Sequence, residues 1–491
     1  MEHLSALLIV IPLLGAPIAV ALPGWRLAWL LTVAVSWAVF AIAVAIGLQV
    51  AETGLISYEM GGWPPPWGIE MRIDALNSIL VLIVSGIGAV VTPFAGPSAR
   101  AEIRAAKLPL FYGLFLLTYT GLLGISITGD IFNVFVFLEI SSLSSYALIA
   151  LGRDRRALTA SYQYLIMGTI GATFFLIGVG LLYSLTGTLN MGDLAGRLGA
   201  VADTRTVHTA FAFMVVGIGL KLALFPVHLW LPNAYTYAPS AVSAFMAATA
   251  TKVAVYLLIR VLFTVFGADY SFSVVPLKAL LLALAIVGIF VTSLAAWSQR
   301  DAKRLLAYSS VAQIGYMVVG ISLATTAGLT ASITHLFNHA LMKGALFLAL
   351  GAVAYRISST RISDMAGLGK AMPWTLSAFA VGGLSLIGVP LTAGFVSKWY
   401  LIVAALELGW WWLAALVLAA SLIAVMYVWK IIETAWFQPL PEKNAGVAEA
   451  PLALLVPTWV LVAANIWFGI DTRFSAGLAA TAAEWLIGGG P

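Results

Sequence analysis

The 491-residue chain has no cysteine, and only 9% of its residues are Asp, Glu, Lys or Arg. The first absence excludes thiolate-bound iron–sulfur clusters, cysteine zinc sites and disulfides, and says nothing about compartment. The second, with 62% apolar residues and a mean hydropathy of +1.02, excludes a soluble domain and describes a polytopic membrane protein. No polar stretch is long enough for a separate soluble unit. The first apolar run, Leu4 to Leu22, lacks a basic lead and a small-residue cleavage site, so it reads as a first helix and not as a signal peptide. The net charge of +5 is spread over short loops and is no nucleic-acid signal.

Runs of about 20 apolar residues suffice to cross a bilayer. About fourteen are present: 3–22, 27–50, 75–96, 108–128, 131–151, 160–187, 208–231, 240–265, 275–298, 304–324, 328–354, 372–394 (continuing to about 408), 410–436 and 451–470. The 55–74 loop contains Trp-Pro-Pro-Pro-Trp and cannot be helical throughout. The expected fold is all-α, with N-terminal helices 1–3 over 1–107, five-helix units over 108–265 and 275–436, and a final helix and tail over 451–491.

Basic residues set the expected orientation. Fifteen lysines and arginines fall in loops after odd-numbered helices, five on the other side, and five inside spans. This bias places the odd loops in the cytoplasm and both termini outside, which requires an even helix count.

Two spans are interrupted. The seventh contains Pro226 and Pro232, and the twelfth contains Gly388, Pro390 and Gly394. Each interruption frees backbone groups that only protein or water can satisfy at bilayer depth. The breaks stand five helices apart, which predicts two repeats, helices 4–8 and 9–13, inverted relative to one another. A plain proline kink explains either break alone but not their pairing.

Within these spans lie Glu139, Lys221, Lys252, Arg260, Lys343 and Lys398. Each charge at that depth costs a few kcal/mol or more, and such groups mark proton or ion paths. Glu139 is nine residues beyond Asp130, about 13 Å along a helix. Lys221 precedes the first break and is its natural partner; Lys398 follows the second. A lysine can surrender its proton when buried, as arginine cannot. His335, His339 and Lys343 recur every fourth residue and share one helix face, about 6 Å apart. Two histidines so spaced also suit a metal, but no adjacent acid or cysteine completes a site, so no metal is expected. Arg260, nearer the outer edge, reads as an interfacial anchor. His228 either caps freed backbone or joins the path. No phosphate-binding loop, dinucleotide fingerprint or haem or flavin signature is present, so no cofactor is expected.

The segments KLALFPVHLWLPNAYTYAPSAVSAFMAATATK, AKRLLAYSSVAQIGYMVVG, THLFNHALMKGALFLALGA and GVPLTAGFVSKW resemble the antiporter-like subunits of respiratory complex I and of Mrp-type cation/proton antiporters. The likeness covers nearly the whole chain. It implies that Glu139 and Lys221 form a functional pair, and that Lys252, His335, His339, Lys343 and Lys398 continue a central polar axis. DIFNVFVFLEISSLSSYALIALG looks most like the D-type component of Mrp antiporters, and Lys398 stands where the M-type component of complex I has glutamate. Asn233 departs from an aspartate that many members carry. The chain ends soon after the fourteenth helix, like the family's short members.

The resemblance implies a non-enzymatic subunit of a hetero-oligomeric Na⁺ or K⁺/H⁺ antiporter in the cell membrane, with other membrane subunits as partners. The alternatives are a proton-pumping module of a complex I-type or hydrogenase complex, a stand-alone transporter, and a scaffold whose polar axis is vestigial.

Overall fold

The structure, a computed structural model, describes residues 3–488; Met1, Glu2 and the last three residues of the expected tail lie outside the described residues. The first six spans are Leu4–Ala21, Trp25–Thr53, Ala75–Glu102, Leu108–Ile127, Ile131–Ala150 and Arg156–Thr186. The seventh is Arg205–Leu222 followed by Trp230–Tyr237, and the eighth is Ser240–Val265. The ninth to eleventh are Leu277–Ser298, Ala302–Leu323 and Thr326–Ile357. The twelfth is split into Pro373–Ile387 and Ala393–Glu407, and Trp411–Phe437 and Leu452–Ile470 complete the fourteen. Thirteen of these are long and apolar enough to cross a membrane; the twelfth is divided into two helices of 15 residues each. The protein is an all-α polytopic membrane protein.

Proline excludes helix from the loop after the second span, which instead forms a hairpin. Strand β1 (Ile56–Glu59) pairs antiparallel with β2 (Glu70–Ile73), Ile56 opposite Ile73.

The two repeats reuse one joint. Asp130 caps the fifth span through the Asn133 amide, and its backbone bridges Asn190, just beyond the sixth span. Asp301 caps the tenth span through the Arg304 amide, and its backbone bridges Arg361, just beyond the eleventh. The amides of Ile131 and Ala302 each donate to the bridging loop, to Leu189 and Thr360, at 2.8 Å in both cases. A carboxylate accepting first-turn amides is the usual helix-start device. The Asp301 joint shares a pocket with Arg156, which lies at the far end of the fifth span from Asp130. The two joints therefore occupy opposite ends of the bundle, and the repeats are inverted.

The eighth and tenth spans are buried over almost their whole length, while the first, second, sixth, ninth and thirteenth keep much of their surface exposed. Both ends of the described chain sit at the hairpin end. His3 Nδ1 lies 2.9 Å from the Tyr58 hydroxyl, and the Arg72 guanidinium stacks over Trp485.

The tail expected after the fourteenth span is largely a helix, Arg473–Ile487, packed on the eleventh and third spans. Its five alanines and one glycine carry too little hydrophobic signal, and 15 residues are too few, to read as a membrane span. The eighth span, expected to be continuous, is broken at Thr249 (φ −124°, ψ −57°).

Candidate functional site

The first half of the seventh span ends at Leu222 because Ala223 adopts a left-handed conformation and Pro226 cannot continue the ladder. The Leu220 carbonyl, which also accepts the Ala223 amide at 3.2 Å, accepts the Trp230 indole N–H at 2.9 Å, and Trp230 stacks on Tyr164 with ring centroids 3.9 Å apart. This clamp holds the turn that carries Lys221. The Lys221 ammonium donates to Ser142 Oγ at 2.7 Å and lies 3.9 Å from Glu139 Oε1. Ser142 is one turn beyond Glu139 on the fifth span, so one helix face offers the lysine both a carboxylate and a hydroxyl. Glu139 keeps a quarter of its side chain exposed, whereas Lys221 is buried. Glu139 Oε1 has no hydrogen-bond donor. The pair is a through-space ion pair with room to tighten or separate. At an intermediate effective dielectric its Coulomb attraction is about 4 kcal/mol before desolvation, halving when the distance doubles. Such a difference is large enough to control where a proton rests.

Lys252 follows the Thr249 break, and its ammonium binds the released Ala247 carbonyl at 2.5 Å. Lys398 repeats the arrangement across the twelfth break. Its ammonium binds the carbonyls of Leu386 and Ile387 at 3.0 and 2.8 Å and Ser421 Oγ at 3.1 Å, and lies over the Tyr316 ring at 5.0 Å. Lys343 donates to the Leu306 carbonyl and to Ser309 Oγ on the tenth span at 2.9 and 2.5 Å. None of these three lysines forms an ion pair with a carboxylate among the described residues. Carbonyls and hydroxyls hold an ammonium by dipoles alone, which leaves its proton transferable.

His335 and His339 stack with rings 5.8 Å apart and 3° from parallel, as their four-residue spacing predicts. His335 Nδ1 contacts Ser397 Oγ at 2.8 Å, while His335 Nε2 and both nitrogens of His339 lack protein partners. The eleventh span, which carries His335, His339 and Lys343, packs against both the eighth span and the second half of the twelfth, and His335 meets Ser397 next to Lys398. Five of the expected residues thus form one cluster. Glu139 and Lys221 form a second, and among the described residues no hydrogen bond joins the two. No group of three metal-ligating side chains occurs among the described residues.

Arg260, read as an interfacial anchor, meets a protein carboxylate at the start of the third span. It is buried, pairs with Asp74 at 2.5 Å, and bonds Asn77 and the Tyr256 hydroxyl. Asp74 caps the third span through the Leu76 and Asn77 amides, so this charge ties the third and eighth spans together. His228 stacks near Phe225 at the seventh break, with Nδ1 unpartnered. Asn233 donates to Gln163 at 2.7 Å, an amide pair away from both clusters.

Sequence reasoning missed Ser142, Ser309, Ser397, Ser421 and Tyr316 as lysine and histidine partners. The serine-rich Ile140-Ser141-Ser142 run beside Glu139 was a visible signal for the first. Asn338 was also missed: it donates to the Ala393 carbonyl at 2.6 Å and so holds the eleventh span against the twelfth break.

The profile of the family described as "NADH:quinone oxidoreductase/Mrp antiporter, TM" matches residues 128–424, which include every residue of both clusters. The chain is 43% identical to the N-type component of NADH-quinone oxidoreductase from Desulforudis audaxviator (strain MP104C), over 94% of each chain. It is 33% identical to the D-type component of the Na(+)/H(+) antiporter from Alkalihalophilus pseudofirmus (strain ATCC BAA-2126 / JCM 17055 / OF4), over 87% of this chain and 85% of that one. Among solved structures it superposes on a chain of the membrane-bound sulfane sulfur reductase, an archaeal respiratory membrane complex, with TM-score 0.90 and 33% identity over 99% and 98% of the two chains. The chain therefore belongs to the transmembrane family shared by NADH:quinone oxidoreductase and Mrp antiporters.

Proposed function

We propose that this chain is the proton-translocating subunit of a multi-subunit monovalent cation (Na⁺ or K⁺)/H⁺ antiporter, and not an enzyme in its own right. The observation that carries the reading is the contrast between its two clusters. One lysine, Lys221, has a carboxylate 3.9 Å away, while three buried lysines and two histidines have only dipoles around them. When Glu139 closes on Lys221, the attraction holds a proton there. When it withdraws, the proton moves to the next acceptor along Lys252, the His335–His339 stack, Lys343 and Lys398. On this reading the 3.9 Å pair acts as a gate to the cluster beyond it.

The family resemblance of the fifth span and the 33% identity to a Na(+)/H(+) antiporter component support the antiporter assembly. A second reading, a proton-pumping module of a complex I-type or related respiratory complex, is favoured by the 43% identity to a component of NADH-quinone oxidoreductase. Both readings use the same axis and require other membrane subunits. We further propose a cell-membrane location with both termini on the outer side. Their shared position at the hairpin end supports this placement, as does the basic bias of the opposite face. The chain divides, on this reading, into 1–107, the repeats 108–265 and 275–436, and 451–491.

Replacing Glu139 or Lys221 by Ala in the assembled complex and assaying ΔpH-driven cation exchange in vesicles tests the function. Loss in both supports it, and near-normal exchange by both rejects it. Identifying the copurifying subunits separates the two assemblies.

A further inference from the structure

At the Asp301 end of the bundle, where the two repeats meet, lies a cavity of about 650 Å³ lined by Arg156, Arg300, Arg304 and Arg361. The charge there is unbalanced. Arg156 is paired with Asp154 at 2.5 Å. Asp301, the acid in the wall, is already used: one oxygen caps the Arg304 amide and the other accepts Thr360 Oγ at 2.6 Å. Among the described residues Arg300, Arg304 and Arg361 form no ion pair, and Arg304 Nε is buried without an acceptor. Three guanidinium groups converge on one hollow without a salt bridge to any carboxylate, their charge offset only in part by Asp301 in the wall and by Asp364 near Arg361.

The surface beside the hollow is apolar. Leu280, Val287, Val291, Leu294 and Trp297 follow one another at helical spacing on the ninth span, each between 44 and 55% exposed. This stripe ends at Ser298 and Gln299, which line the cavity. Fixed cations at the end of a lipid-facing apolar stripe, with a tryptophan at the boundary, complement an anionic headgroup above acyl chains. An acidic peptide would match the arginines but would leave the stripe unused.

We propose that this cavity is a binding site for an anionic phospholipid, the phosphate held by Arg300, Arg304 and Arg361 and the acyl chains lying along the exposed face of the ninth span. A basic residue near a membrane surface is worth about fivefold in affinity for anionic lipid, so three give roughly a hundredfold preference over a zwitterionic lipid.

The test uses the full chain purified in its complex in a zwitterionic detergent and titrated with fluorescent phosphatidylglycerol or phosphatidylcholine. The expected results are about a hundredfold tighter binding of phosphatidylglycerol and loss of that preference in the triple variant R300Q/R304Q/R361Q. If the triple variant does not assemble, R300Q and R361Q, which alter exposed side chains, are each expected to weaken binding about fivefold. Equal binding of both lipids, or a preference that survives the substitutions, overturns the proposal. So does full competition by inorganic phosphate, or by polyglutamate, which would show a soluble anion or an acidic partner segment to be the ligand.

Discussion

The Lys252 ammonium lies 2.5 Å from the carbonyl oxygen of Ala247, a group released because the helix breaks at Thr249 between them. Lys398 holds Ile387 in the same way across the twelfth break. In both repeats an interrupted helix supplies the dipoles that make a buried lysine tolerable, so backbone break and buried charge are one device. Lys252→Met removes the charge together with the cap. It should lower proton transport at least about tenfold. Lys252→Arg should keep the cap without restoring transport, because arginine does not release its proton. Dye-monitored uptake in vesicles, with assembly checked by copurification, measures both. Transport by the arginine variant would remove Lys252 from the relay.

The Asp74–Arg260 pair calls for a stability experiment. Removing either partner leaves an uncompensated buried charge, at a cost of about 3–5 kcal/mol. Asp74→Asn keeps the cap of the third span, so its cost measures the lost pairing and not the lost cap. The double variant should be less damaging than the two single costs added. Denaturant titration of the four proteins in detergent gives the coupling. Full additivity would show that the two residues act independently.

Gly394 makes a sharper steric prediction. A Cβ at this position would lie 1.8 Å from the Ser385 carbonyl oxygen, whereas one at Gly477 meets nothing within 4 Å. Gly394→Ala must therefore prise apart the two halves of the twelfth span and displace Lys398. It should abolish transport, while Gly477→Ala should stay within about 0.5 kcal/mol of the parent stability. Transport rates and thermal unfolding of the two variants decide it.

Much of this was legible in the sequence. Apolar run lengths yielded the spans, and proline and glycine marked the seventh and twelfth breaks, because their chemistry leaves the backbone no helical option. The i, i+4 spacing foretold the stacked His335 and His339. The Thr249 break was not legible, since Ala248-Thr249-Ala250 contains no breaker; packing around the buried eighth span imposes it. Nor was the role of Arg260, because its partner Asp74 stands 186 residues away and reads locally as a mere helix start. The serines that hold the lysines were equally hidden: serine is common inside membrane helices, and only the fold shows which ones face an ammonium.

Outside the membrane, Asp364 offers a pH-dependent test. Lys443, 2.5 Å away, holds its carboxyl below the ordinary carboxylate range, with Ser359 assisting. A depressed folded-state pKa stabilises the protein above the unfolded value, near 3.9, and that stabilisation fades as pH falls through the folded value. Asp364→Asn should therefore be less stable than the parent near neutrality, with the gap closing as pH drops below about 4. Thermal unfolding of both proteins across that range reads it; a gap that stays constant would show that the carboxylate contributes through shape and not charge.

The most direct measurement is ΔpH-driven proton uptake by sealed vesicles carrying the assembled complex, with Glu139→Gln and Lys221→Met compared with the parent. If the 3.9 Å pair gates the axis, each variant should lose at least about tenfold in rate with the subunits still assembled. Near-parental uptake by both variants would contradict it.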